Sequence, residues 1–336
     1  MLMATRMEML SGIFANLLAI PNFVVGGKDT SFNAVFSTSV DGVSWTQQAA
    51  GAFSAYIQAV VYANSNFVAV GNNTGSGPEI FTSTDGVTWA SQTAAPTSGF
   101  NIAAISYGAS LFVAAGKNGS TGFAVVSTSP DGVTWTQRTA NPSASNFNVT
   151  GVACSSSTFA IVGYNSSTGV PVISTSSDGI TWTSRTPAPS TGFYIKAIAW
   201  GGSAFVAVGS DGGTTPIIST AAAAGSSWTS QTPAPSTNFT INGVAYGNSV
   251  FVAVGNNGTT PVISTSPDGV TWGSRTPSPT TGFVPISVFY NDSLFVVVGT
   301  TSIGGSTPVF ATSPDGVTWT QRTAAPNSTF TPLCVG

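Results

Sequence analysis

Short apolar runs separated by polar turns fill almost the whole chain. In residues 239–276, apolar runs at 241–246 and 251–255 flank the turn Gly247-Asn248-Ser249, and runs at 261–266 and 270–276 flank Pro267-Asp268-Gly269. The runs are rich in β-branched and aromatic residues, and Gly, Asn, Asp or Pro stands at each junction, which predicts four short β-strands. No stretch shows the 3.6-residue period of an amphipathic helix. The sequence therefore predicts an all-β protein.

Seven tryptophans mark repeats of this four-strand unit. They lie 44 to 47 residues apart, at Trp45, Trp89, Trp135, Trp182, Trp228, Trp272 and Trp319. Seven units of four strands predict a seven-bladed β-propeller with four antiparallel strands per blade, in which each blade packs on its neighbours. A linear solenoid is the alternative, but it needs end units with polar outer faces, and the first and last units here are ordinary members of the array. We expect residues 11–336 to form a single propeller.

Both ends of the chain compete for one strand position. Residues 12–18 align with the first strands of later units, and residues 330–336 also resemble the start of a unit. We expect the C-terminal tail to close the ring by pairing beside the first blade, since an uncapped end would expose a strand edge. Residues 1–10 then form an N-terminal segment available for contact with a partner.

Six of the seven units carry the motif Ser-x-Asp-Gly-(Val/Ile)-(Thr/Ser)-Trp, with its aspartate at Asp41, Asp85, Asp131, Asp178, Asp268 and Asp315. Asp-Gly between two β runs predicts a tight hairpin, because Gly accepts a positive φ and the Asp carboxylate bonds nearby backbone N–H groups. We expect the Trp ring to fold over the turn and pack at the blade edge, joining the third strand to the fourth. These aspartates and tryptophans are predicted to be structural. One carboxylate per turn falls short of the ligands that Ca²⁺ prefers, so a calcium role is the weaker alternative.

The motif resembles the Asp-box, or BNR repeat, of sialidase-like propellers and of the photosystem-assembly propellers of plants and cyanobacteria. The common Asp-box has one residue between Asp and Gly, whereas the two are adjacent here, which requires a tighter hairpin. The resemblance implies the propeller fold. In sialidases it would also imply an arginine triad around a carboxylate, a Tyr/Glu nucleophile pair and an Asp acid.

The arginines of this chain do not fit such a site. Four of them occupy the third position after a motif Trp, where the other units have Gln48, Gln92 and Gln231; these four are Arg138, Arg185, Arg275 and Arg322. Symmetry-equivalent residues on outer strands do not converge, and we interpret them as solvated residues that protect the edges. They also do not form the basic surface patch that the photosystem-assembly resemblance implies.

Composition narrows the function classes further. Only 6% of residues are charged, with 8 Lys and Arg, 11 Asp and Glu, no His and a net charge of −3, against about 25% charged residues in an ordinary domain. The chain has too few basic residues to form the positive surface that binding to nucleic acid or to an anionic membrane requires. No apolar run reaches the roughly 20 residues of a membrane span. Missing histidine and scattered acids predict a protein that is not an enzyme and has no cofactor. Cys154 and Cys334 lack the spacing of a zinc site or disulfide framework.

Two features remain as candidate binding sites. Loops between the second and third strands are rich in Asn, Ser, Thr and Gly, and we expect their ligand-facing residues to be Asn73, Asn118, Asn165, Asp211 and Asn257. Amide and hydroxyl groups can bind a sugar, but the same residues also form tight turns, so both interpretations stay open. The fifth unit departs from the array: residues 220–228 lack the aspartate, and Lys196 and Trp200 lie on its first strand. That departure indicates either a site or sequence drift in a surface turn.

These observations favour a non-enzymatic structural or binding protein. The low charge and the repeated Ser-x-Asp-Gly-x-Thr-Trp array resemble phage virion proteins, which implies a tail or capsid appendage that attaches to a host surface, with other virion proteins as partners. The alternative is a secreted or surface bacterial lectin or adhesin. Host-surface glycans and a second copy of this chain are further candidate partners. An uncleaved Met1 counts against a secreted lectin if that residue is native.

Overall fold

The computed structural model describes residues 20–48, 53–75, 77–138, 146–223, 225–322 and 330–336. Within these ranges the chain forms seven antiparallel sheets of four strands each, arranged as the blades of a β-propeller. The predicted all-β, seven-bladed fold is confirmed. No helix in the described ranges has the length and apolar character needed to cross a membrane.

Each blade follows the chain from the innermost strand to the outermost, except in blade one. Blade one contains β28 (Phe330–Val335), β1 (Phe23–Asp29), β2 (Ala34–Ser39) and β3 (Thr46–Gln48). Blade two contains β4 (Ala55–Ala63), β5 (Asn66–Asn73), β6 (Pro78–Ser83) and β7 (Ala90–Gln92). Blade three contains β8 (Phe100–Gly108), β9 (Leu111–Asn118), β10 (Ala124–Ser129) and β11 (Thr136–Arg138). Blade four contains β12 (Phe147–Cys154), β13 (Phe159–Asn165), β14 (Pro171–Ser176) and β15 (Thr183–Arg185).

The remaining blades repeat this order. Blade five contains β16 (Tyr194–Gly201), β17 (Ala204–Ser210), β18 (Pro216–Ala222) and β19 (Trp228–Gln231). Blade six contains β20 (Thr240–Gly247), β21 (Val250–Asn257), β22 (Thr260–Ser266) and β23 (Gly273–Arg275). Blade seven contains β24 (Val284–Asn291), β25 (Leu294–Thr300), β26 (Pro308–Ser313) and β27 (Thr320–Arg322).

The C-terminal tail closes the ring. β28 pairs antiparallel with β1, and the backbones of Val24 and Gly336 exchange two hydrogen bonds of 2.8 and 2.9 Å. The pairing of the tail beside blade one agrees with the expectation, and β28 occupies the innermost position of that blade. Residues 12–18, which also align with first strands, lie outside the described residues.

Among the described residues seven apolar clusters form the core, one at each contact between neighbouring blades. The second strands carry runs of fully buried Val, Ala, Ile and Phe, because both faces of a middle strand lie between blades. In the contact of blades one and two, Phe36 stacks on Trp89 with ring centroids 4.0 Å apart. The core is therefore distributed around the ring, and no blade buries its faces without its neighbours.

The motif turn is stabilised by its serine and aspartate. In blade six the Ser266 hydroxyl donates to Asp268 Oδ1 and accepts from the Gly269 N–H, at 2.9 and 2.8 Å. Asp268 Oδ1 also accepts the backbone N–H groups of Val270 and Thr271, each at 2.8 Å. Each of the other five aspartates accepts, in the same way, the backbone N–H groups two and three residues later. These side-chain bonds stabilise the tight turn in which Asp and Gly are adjacent in sequence.

The motif tryptophans have a wider role than joining the last two strands of a blade. Each indole N–H donates to the carbonyl of the motif Gly three residues earlier, at 2.8 to 3.2 Å. The ring then packs into the cluster shared with the preceding blade, as Trp45 does against Phe310 at 4.6 Å. The expectation of a ring lying at its own blade edge is therefore incomplete, because the repeat unit is too thin to bury an indole alone.

Candidate functional site

The two faces of the propeller differ in how closely the blades resemble one another. One face, here the turn face, carries the Asp-Gly turns and the turns between first and second strands. The opposite face, the loop face, carries the described parts of the connections from the second to the third strand and from one blade to the next. The repeated motif makes the turn face nearly uniform, whereas the strand ends at the loop face differ from blade to blade. Within a repeat array, positions that diverge are the ones not required by the scaffold.

The divergence at the loop face is concentrated where the first and second strands pair. The pairs at this level, from blade one to blade seven, are Thr331–Lys28, Tyr56–Asn72, Asn101–Lys117, Asn148–Tyr164, Tyr194–Ser210, Thr240–Asn256 and Val284–Thr300. Aromatic, cationic, amide and aliphatic residues all occur at one structural level. Such variation on a uniform scaffold is typical of a binding surface.

A second variable level lies just below, at a β-bulge in every innermost strand. The bulged residues are Leu333, Gln58, Ala103, Thr150, Lys196, Asn242 and Ile286. A bulge leaves one residue out of the ladder and redirects its side chain. These seven residues line the central channel, which has a volume of about 440 Å³.

Lys196 differs from the other six bulged residues because it carries a charge. It is the one charged side chain among the described residues that line the channel. It also lines two clefts of the loop face, one toward blade four of about 470 Å³ and one toward blade seven of about 410 Å³. Burial of the ammonium group lowers the pKa of Lys196 below its ordinary value. The channel and both clefts thus converge on a single, partly desolvated cation.

The amide of Asn242 holds the Lys196 ammonium in place. Lys196 Nζ donates to Asn242 Oδ1 at 2.9 Å. Asn242 Nδ2 in turn donates to Asn256 Oδ1 at 2.7 Å and to the Pro285 carbonyl at 2.8 Å. Since these residues belong to blades five, six and seven, a network across three blades fixes the cation.

Two tyrosines form the aromatic wall of the cleft between blades four and five. The rings of Tyr164 and Tyr194 meet edge to face with centroids 5.0 Å apart, and both side chains are half-buried. Thr150, Ser210 and Thr240 add hydroxyl groups, and Gly212 brings backbone close to the Tyr194 ring. A Cβ at Gly212 would lie 2.7 Å from that ring, and the φ of +90° also favours glycine. We call this site, lined by Thr150, Tyr164, Tyr194, Lys196, Ser210 and Thr240, the tyrosine cleft.

The predicted loop residues lie on the same face but use their side chains within their own turns. Asn73, Asn118, Asn165 and Asp211 each accept two backbone N–H groups of the following loop through Oδ1. Asn257 ends β21 and is exposed. In the first four residues the side-chain oxygen therefore stabilises its own turn, as the turn-forming interpretation predicts. Recognition of a ligand by these loops stays a prediction.

The outer-strand arginines and glutamines are not simply solvated. Each side chain donates to the Thr hydroxyl on the adjacent third strand, as Arg275 Nε does to Thr265 Oγ1 at 2.7 Å. The same bond recurs with Gln48, Gln92, Arg138, Arg185, Gln231 and Arg322. The seven side chains fasten the short fourth strands, and they remain dispersed around the rim as expected.

Trp200 and the free cysteines have packing roles in the structure. The Trp200 ring packs at a tilt against Phe205 with centroids 4.8 Å apart, and tyrosines at the equivalent position of blades two, three, six and seven do the same with their own phenylalanines. Cys154 and Cys334 are free thiols. Among the described residues no cluster of three potential metal ligands occurs.

The sequence indicated Lys196 only as part of the departure of the fifth unit, with drift as the alternative, and it gave no separate role to Tyr164 or Tyr194. Both tyrosines lie at strand ends whose residues differ from unit to unit. An alignment of the seven repeats would therefore have shown them as aromatic residues at variable positions. Their meeting across a blade contact depends on the ring, because they belong to different repeats.

Comparison with known proteins bears on the fold. No protein-family model matches the chain, and no curated protein matches its sequence. Among solved structures the chain is similar to the BP39L lectin from Burkholderia pseudomallei, with a TM-score of 0.64 and 14% identity over 92% of this chain and 97% of that one. It is also similar to YCF48 bound to D1 peptide, with a TM-score of 0.56 and 17% identity over 80% of this chain and 82% of that one. At these identities the likeness shows the shared propeller fold, and the chain is a seven-bladed β-propeller.

Proposed function

We propose that this protein is a non-enzymatic binding propeller that recognises glycans in the tyrosine cleft of its loop face. The observation that carries the proposal is the convergence of two half-buried tyrosine rings with three hydroxyl side chains in one cleft of about 470 Å³. A sugar ring presents apolar C–H groups on its faces and hydroxyls at its edge. Aromatic rings pack on the C–H faces of a sugar, and a few well-placed polar groups bond its hydroxyls and so orient it.

The similarity to a lectin propeller supports this proposal at the level of the scaffold. BP39L is named as a lectin, and it covers nearly the whole of this chain in the structural comparison. Fold alone does not carry a function over. The argument for this chain therefore rests on its own cleft.

Binding of the purified full chain to a panel of immobilised glycans tests the proposal. We expect binding to at least one neutral or acidic member, with a loss of tenfold or more in Tyr194→Ala because the aromatic surface is removed. Tyr56→Ala is the matched control, since Tyr56 occupies the same level of blade two and lies outside the cleft. Absence of binding to every glycan, or equal loss in both variants, contradicts the proposal.

The absence of catalysis is part of the same proposal. In the described residues the channel and the tyrosine cleft contain no carboxylate among their lining side chains, and glycoside hydrolysis ordinarily needs a pair of carboxyl groups. We expect bound glycans to be recovered unchanged after long incubation, as measured by mass spectrometry. Cleavage products that disappear in Tyr194→Ala would show that the cleft is catalytic.

The biological setting proposed from the sequence is a phage virion, with this chain as a tail or capsid appendage and other virion proteins as partners. Its support is the 6% charged composition and the resemblance of the repeat array. Cryo-electron microscopy of the particle or complex that contains the chain tests this setting. Symmetric copies on a tail or capsid agree with it, whereas a free monomer favours the alternative of a secreted or surface lectin.

A further inference from the structure

Lys196 carries a charge that the described structure leaves uncompensated. Its Nζ bonds one neutral amide oxygen, and no carboxylate of the described residues lines the channel or either cleft that meets there. Taking an ammonium group partly out of water is costly unless an opposite charge accompanies it. The other six blades place uncharged residues at the same bulge, so the scaffold itself does not require a cation.

The position of the ammonium group is nevertheless well defined. Asn242 accepts one of its hydrogen bonds and is itself held by Asn256 and Pro285. An ammonium group has three donors, so two remain for groups that enter from the cleft or the channel. A preorganised donor of this kind reduces the ordering cost of binding.

The acidic residue of the same blade, Asp211, bonds to its own loop. Asp211 follows Ser210 at the rim of the tyrosine cleft, and its Oδ1 accepts the backbone N–H groups of Gly213 and Thr215 at 2.8 and 3.1 Å. These bonds hold the carboxylate in its loop. The cleft therefore has a cation at its base and an anion at its edge.

We propose that the tyrosine cleft selects acidic glycans, in which the carboxylate of a sugar acid pairs with Lys196 Nζ while the sugar ring packs on Tyr194 and Tyr164. This inference rests on the proposed glycan-binding function and adds the ligand's charge to it. A carboxylate at Nζ supplies the missing countercharge, and hydrogen bonds between two charged groups are the strong ones. Thr150 Oγ1 and Thr240 Oγ1 donate to the carbonyls of Ile195 and Asn256 at 2.9 and 3.5 Å, so these hydroxyl oxygens can still accept hydrogen bonds from the neutral part of the sugar.

Paired glycans give the sharpest test. The probes are oligosaccharides that end in a uronic acid or another sugar acid, each paired with its carboxyl-reduced neutral form. For the full-length protein we expect acidic members to bind roughly tenfold tighter or more than their neutral partners. Lys196→Met should bring both members to the same weak affinity, and Asp211→Asn should strengthen acidic binding by removing a like charge.

Lys28→Met serves as the matched control. Lys28 is a second cation of the loop face, with Nζ 4.2 Å from the centroid of the Phe32 ring, and it lies outside the tyrosine cleft. This variant should keep the full preference for acidic glycans. Thermal melting of each variant verifies that the ring is folded before binding is compared.

The outcomes separate the two proposals. Equal affinity for acidic and neutral members, with loss of both in Tyr194→Ala, overturns the acidic selectivity and leaves the glycan-binding function standing. A preference that survives Lys196→Met overturns the role of Lys196. Binding to no glycan overturns both, and capture of acidic peptides in place of glycans does so as well.

Discussion

At the scale of single residues, the motif aspartates show how a small side chain can define a turn. The Asp178 Oδ1 accepts backbone N–H groups from Thr181 at 2.7 Å and from Ile180 at 2.8 Å. These bonds favour the ionised carboxylate and lower the pKa of Asp178 to about 2. The pKa is lowered at the other five motif aspartates too.

The lowered pKa values of the motif aspartates predict that the protein loses stability in acid. A folded-state pKa below the unfolded value means that the unfolded chain binds protons first, so the contribution is complete above pH ~4 and is lost as the pH falls toward ~2. Because the aspartates are mostly exposed, each turn should lose at most about 1 kcal/mol. Thermal melts from pH 7 to pH 2 measure the effect. Asp178→Asn should reduce the pH dependence, and an unchanged profile in that variant would contradict the assignment.

The motif tryptophans predict a much larger effect. Trp272 is 8% exposed and packs between blades five and six. Truncation to Ala leaves a cavity in that contact and should reduce the free energy of unfolding by about 3–5 kcal/mol. Denaturant melts compare this variant with Ser274→Ala, an exposed position on β23, where we expect a change within about 0.5 kcal/mol. Similar melts for the two variants would refute the packing role.

At the scale of elements, blade five shows what the turn motif adds. Its turn lacks the Ser and Asp, and the Gly225 N–H instead donates to the Ala222 carbonyl at 2.7 Å. Trp228 keeps its indole bond to Gly225 at 3.1 Å. The tryptophan contact is therefore retained where the carboxylate scaffold is absent.

Restoring the motif in blade five should stabilise the protein. Alignment with the other units places the missing residues at 222 and 224, so the variant is Ala222→Ser with Ala224→Asp. New bonds to the amides of the turn should raise the free energy of unfolding by about 1 kcal/mol. Urea melts of the double variant and of Ala222→Ser alone provide the comparison. A loss of stability in the double variant would mean that the backbone of this turn no longer fits the Ser and Asp of the motif.

At the scale of the whole molecule, one strand holds the two ends of the ring together. Cys334 lies on this strand, is buried in the contact of blades one and two, and donates weakly to the Gly26 carbonyl at 3.7 Å. Burial raises the pKa of the Cys334 thiol to about 12. A thiolate is the reactive form, so this thiol reports whether the ring is closed.

Iodoacetamide labelling at pH 8 should leave Cys334 unmodified in the native protein. The measurement uses a Cys154→Ser background and mass spectrometry, with the urea-unfolded chain as the control for full reactivity. We expect labelling to appear only across the unfolding transition, because β28 leaves its place when the ring opens. Labelling of the folded protein at the unfolded rate would mean that the closing strand detaches on its own.

Much of the fold follows from local sequence. The number of motif tryptophans gives the number of blades, and in six blades Asp-Gly with its flanking Ser and Thr determines where the third strand turns into the fourth. These features act over a few residues, through turn geometry and side-chain bonds to the nearest backbone. They could be predicted because such interactions need no distant partner.

The side chains of the tyrosine cleft come together only in the folded ring. Tyr164 meets Tyr194, and Lys196 meets Asn242, only because successive blades pack side by side, and each pair is separated by 30 or 46 positions in the chain. The same holds for the tryptophan rings, which pack on the preceding blade, and for β28, which pairs with β1 across the full length of the chain. The repeated unit can be read from the sequence because its contacts are local. Which residues of different units meet depends on the ring, because those contacts exist only after the blades have closed around the channel.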